Sequence, residues 1–146
     1  MTKADFWQLI GDDGNADAVY NKLMHNLVKL PEIDIIRFGQ YITHYKQLAT
    51  TSGVLTLANK INGNCEEHDL PDFIGWLIAQ GETVYTTAVK QPTDMVALDA
   101  EYGEAWCEDI LHVASNAFFD KRGIDYDYCL YLAACDASPL SAQDLE

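Results

Sequence analysis

Apolar positions recur at intervals of three and four along nearly the whole chain, and no stretch shows a sustained alternation of two, so the pattern predicts successive helices and no sheet. The clearest element lies between Asn62 and Val84. Asn62, Gly63 and Asn64 form a turn signal, Asp69 is placed to cap a helix, and Pro71 and Asp72 suit its first turn. Phe73, Trp76, Leu77 and Gln80 fall on one stripe that Ile74 and Ile78 widen, and Gly81 is a natural residue just past the C-terminus. A helix apolar over most of its circumference belongs in the middle of a small domain.

The other elements follow from the same periodicity. Helices are expected over Lys3–Ile10 with Thr2 before it, Ala16–Lys29, a third opened by Pro31, and Val54–Ile61. After the central helix come Glu82–Lys90, ended by Pro92, and a further turn over Thr93–Asp99. A long helix is expected from Tyr102 to Arg122, stopped by Gly123, then a last apolar one from Tyr126 to Cys135. The expected fold is all-α, a compact irregular bundle of seven or eight helices in a single domain over residues 1–135, with 136–146 a flexible polar tail.

Composition adds boundaries. A hydrophobic content of 49% with 22% charged residues excludes an intrinsically disordered chain. No apolar run approaches the about 18 residues of a membrane span, and the start of the chain shows no secretion signal. A cytoplasmic protein with reduced thiols at Cys65, Cys107, Cys129 and Cys135 is therefore expected, with Cys107 and Cys129 on buried helix faces.

Charge changes the picture more. Residues 1–61 balance six acids with six bases, whereas 62–146 hold 17 acids against three bases and so carry the whole net charge of −14. Such a surface repels nucleic acid and anionic lipid and attracts a basic partner.

Two places could carry function. Cys65, Glu66, Glu67, His68 and Asp69 make a loop rich in metal and acid–base groups, but Cys65 and His68 lack the second ligand pair of a structural zinc site. No nucleophile elbow, phosphate loop or dinucleotide fingerprint is present. On the expected long helix, Glu101, Glu104, Glu108 and His112 fall within about 80° of one another, with Phe119 on the same side. Phe119 either packs under the segment that follows or anchors a partner. Asp125, Tyr126, Asp127 and Tyr128 then alternate acid and aromatic, a combination suited to a basic protein surface.

The FWQLI stretch near the start, the Ile61-Asn62-Gly63 turn, FIGWLIAQGETVY from Phe73 and EAWCEDILHVASNAFFDKRG from Glu104 together resemble a largely bacterial family, the domain-of-unknown-function family numbered 4240. The resemblance spans roughly residues 5–123 and implies a single helical domain, with no activity attached. Glu67 and His68 stand where that family usually has an acidic pair, and Ile74 where it usually has arginine. The functional expectation is an acidic protein-binding module, most concretely an immunity or antitoxin-like inhibitor of a basic partner such as a toxin domain. Its contacts would be Glu101, Glu104, Glu108, His112, Phe119, Asp125, Tyr126 and Asp127, with no cofactor, metal, nucleic acid or membrane. The alternatives are an enzyme or ligand-binding protein using the Cys65–Asp69 loop, and a self-associating domain without a ligand.

Overall fold

The structure is a computed structural model that describes residues 1–95 and 103–146. Among these residues eight α-helices pack as an all-α bundle with no strand: α1 Lys3–Ile10, α2 Ala16–Leu27, α3 Glu32–Ala49, α4 Ser52–Asn62, α5 Leu70–Ala79, α6 Glu82–Lys90, α7 Asp109–Arg122 and α8 Tyr128–Asp136. Side chains cap four of the eight starts. Thr2 and Asp5 form a reciprocal capping box, and Asn15, Thr51 and Asp127 each accept a backbone N–H from the first turn they precede. Gly81 and Gly123 take positive φ just past α5 and α7, as their positions in the sequence suggest. Asp69 does not cap α5: its carboxylate accepts the Glu66 N–H at 3.1 Å and closes a 3₁₀ turn over Glu67–Asp69 instead.

Helix α5 is buried from Phe73 to Ala79, in keeping with its apolar circumference. Helix α7 packs most extensively on α3, and also on α2 and α5. Beside them an aromatic cluster joins α1, α3 and α6. Phe6 lies 4.7 Å from Phe38 and 5.2 Å from Tyr45 between ring centroids, and Tyr85 donates its hydroxyl to the Tyr45 carbonyl at 2.6 Å. Rings at these separations add to the burial of their area.

The expected helix from Tyr102 to Arg122 begins only at Asp109. Tyr102 and Glu101 lie outside the described residues. The backbone groups of the preceding segment bond elsewhere, which precludes a helical ladder there. Gly103 donates to the Ile61 carbonyl, Ala105 exchanges two hydrogen bonds with the buried Asn62 side chain at 2.8 and 3.0 Å, and Cys107 donates to the Asp72 carbonyl at 2.9 Å. The Asp72 carboxylate takes the Glu108 N–H at 2.7 Å. Gly75 makes room for this segment, since a methyl group there would overlap the Cys107 carbonyl oxygen.

The expected flexible tail is docked. Gln40 donates to the carbonyls of Cys135 and Ser138, Arg37 to that of Pro139, and Tyr41 to that of Asp144. Leu140 and Leu145 are partly buried against the core, where the polarity of the segment had suggested fraying.

Removing the Asn62 amide strands a buried N–H and a buried C=O of Ala105. Asn62→Ala should therefore cost about 2–4 kcal/mol. Urea unfolding checks this as a lower midpoint with an unchanged slope.

Candidate functional site

The loop from Cys65 to Asp69 separates its would-be ligands. Cys65 is buried, its backbone bonded both ways to the Asn59 amide at 2.7 and 2.8 Å, whereas His68 is largely exposed between the carboxylates of Glu66 and Asp69 at 3.4 and 3.3 Å. Among the described residues no three His, Cys, Asp or Glu side chains are grouped to hold a metal ion. Burial pushes the thiols of Cys65, Cys107 and Cys135 upward, away from the range of a reactive thiolate. Cys129, expected on a buried face, is exposed on α8.

The acidic residues expected on one face divide into two groups. Glu104 sits in the extended segment before α7, so it shares no helix face with His112. Glu108 and His112 approach within 3.8 Å on the first turns of α7. Asp125, Tyr126 and Asp127 follow the opposite end of that helix in the chain, and Tyr126 turns back along it to reach Phe119 and Ser115.

Of the two roles open to Phe119, the structure shows packing under the segment that follows and corrects the partner contact: the residue is 4% exposed and cannot meet a partner directly. The chain after Gly123 folds back so that Tyr126 covers it, the two ring centroids 5.0 Å apart, with Phe118 at 5.0 Å on another side. Helical phase placed Phe119 among polar neighbours but carries no information about what the following loop covers.

The covering segment is the best-built surface in the molecule. Five aromatic contacts close a ring that runs from Phe118 to Phe119, Tyr126, Tyr128, Tyr131 and back to Phe118, with centroid separations of 5.0 to 6.3 Å. Three members are buried, while Tyr126 and Tyr128 keep about half their area exposed, 51% and 48%. Ser115 and the Tyr126 hydroxyl share a hydrogen bond at 3.2 Å. Both tyrosines are therefore held in place while presenting surface.

Helix α8 extends this surface. Its sequence, YCLYLAACD, is apolar all round and reads as a core helix, yet only Tyr131 is buried. Leu130, Leu132 and, just before the helix, Ile124 are exposed large apolar residues that the sequence pattern does not single out. Tyr131 fixes the helix to the bundle. Its hydroxyl lies against Gly39 of α3, where any side chain would overlap it, and burial pushes the phenol pKa well up.

The charges around this surface are one-sided. Arg122 is turned onto Glu32 in a bidentate pair at 2.7 and 2.9 Å and lies over the Phe118 ring, and Lys121 donates to the Val28 carbonyl at 3.2 Å. Among the described residues Asp120, Asp125, Asp127 and Asp136 enter no ion pair.

Fold and site together define a single helical domain bearing a preordered surface of tyrosines, exposed aliphatics and unpaired aspartates. The chain belongs to the family described as "Protein of unknown function (DUF4240)", which matches residues 1–120. The Tyr126–Asp136 surface lies beyond the matched residues. No curated protein and no solved structure matches the chain.

Since Tyr131 is the buried side chain of α8, Tyr131→Ala should cost roughly 2–4 kcal/mol locally. Amide hydrogen exchange should show protection lost over residues 128–136 and retained in α3 and α7.

Proposed function

We propose that this protein is an acidic binding module whose surface from Ile124 to Asp136 docks on a basic protein. The observation that carries the reading is the pairing of two stacked, half-exposed tyrosines with aspartates that have no cationic partner among the described residues. Rigid aromatic side chains give contact area at little entropic cost, and uncompensated carboxylates steer a cationic partner and reject an anionic one. In its most concrete form the module is a cytoplasmic immunity or antitoxin-like inhibitor, since toxins that act on nucleic acid or nucleotides present cationic clefts. Asp125, Tyr126 and Asp127 are contacts in this reading. Glu108 and His112 pair with each other on the first turns of α7, apart from these contacts, and Glu104 lies before that helix.

Retention of a basic protein from the native host's lysate tests this. Binding should be strong at low ionic strength, fall steeply in about 0.5 M salt, and weaken about tenfold, or about 1.4 kcal/mol, on Asp125→Lys. Charge reversal at Glu104 should change it less. Binding that ignores both salt and Asp125 would end the proposal.

A further inference from the structure

Between α3 and α8 runs an open groove of about 330 Å³. One wall is polar, with Thr43, His44 and Gln47 of α3; the other is apolar, with Tyr128 and Leu132 of α8; and Asp136 stands at one end. Building on the reading above, we infer that this groove receives an amphipathic helix of the basic partner, its apolar face against Tyr128 and Leu132 and a lysine or arginine at Asp136. A second cation would meet Asp127 at the other end of α8.

Length, hydrogen bonding and charge all favour that occupant. The stretch of α8 from Tyr128 to Asp136 measures about 12 Å, or two turns of a docked helix. The Gln40 amide donates to the carbonyls of Cys135 and Ser138, and the Thr43 hydroxyl donates to the Gly39 carbonyl. Neither wall is a strand edge that an extended peptide could join. A helix arrives with its backbone already bonded and needs only side-chain contact.

Four cations of the chain are engaged within it: Arg37 bonds the Pro139 carbonyl at 3.0 Å, Lys3 the Glu146 carbonyl at 3.2 Å, and Lys121 and Arg122 are held as described. Burial holds the His44 imidazole below its usual pKa. The carboxylates at the two ends of α8 are left to a cation from outside.

The test titrates the full chain, labelled with ¹⁵N, with three probes: a helical peptide of leucine and lysine with the leucines on one face, its leucine–glutamate counterpart, and polylysine. Leu132→Ser and Asp136→Lys alter exposed groove positions, and their spectra report whether the fold persists. Ile33→Ser serves as control, because it is exposed on α3 and lies outside both the groove and the α8 surface. The leucine–lysine helix should bind, the glutamate version should not, and affinity should fall about tenfold with Leu132→Ser and about threefold with Asp136→Lys while Ile33→Ser leaves it unchanged. If the groove variants bind the helix undiminished, or Ile33→Ser weakens it equally, the groove is excluded. Salt-sensitive polylysine binding would in that case leave the basic-partner reading standing. If neither the cationic helix nor polylysine binds, both fall together.

Discussion

The segment from Gly103 to Glu108 holds the bundle in register. It crosses the end of α4 and the start of α5, where Asn62 takes both sides of Ala105, groups that would otherwise be buried unpaired, and Asp72 takes Cys107 and Glu108. The absence of a side chain at Gly75 lets the strap lie flat on α5. From this anchored start α7 projects between α2, α3 and α5, and its far end delivers the aromatic ring and α8. Without the strap, the helix that organises the core would have no fixed origin.

This accounts for the motifs that mark the family. Phe6 and Trp7 sit in the aromatic cluster, Asn62 is the clamp, Trp76 stacks on Phe73 inside the bundle, and Gly81 turns the chain from α5 into α6. Ile74 is fully buried. These are packing and turn roles. The chemistry on offer at the surface lies elsewhere, in residues beyond the matched stretch.

Helix class, most helix starts and the apolar centre were legible because capping and periodicity are local. Lys3–Ile10 and Glu82–Lys90 agree at both ends for that reason. What failed depends on distant residues. Nothing near Glu104 announces that its neighbours' amides bond to Ile61, Asn62 and Asp72, so a continuous helix was the natural reading. Phe119 left two roles open because its cover comes from a loop seven residues later, and the end of the chain looked loose because its partners, Arg37, Gln40 and Tyr41, are a hundred residues away. The candidate surface was half legible: the acid–aromatic alternation at Asp125–Tyr128 was visible, whereas Leu130 and Leu132 looked like core because an apolar helix normally is.

The attachment of α8 along one side, through buried Tyr131, the partly buried Ala134 and Cys135 and the Gln40 bond to the Cys135 carbonyl, divides the molecule into parts under different constraints. Positions 129, 130, 132 and 133 are exposed and belong to neither the strap nor the aromatic contacts. A helix held along one side is a replaceable cassette. Its outward residues are free to diverge and so to acquire a new partner without the chain having to rediscover how to fold.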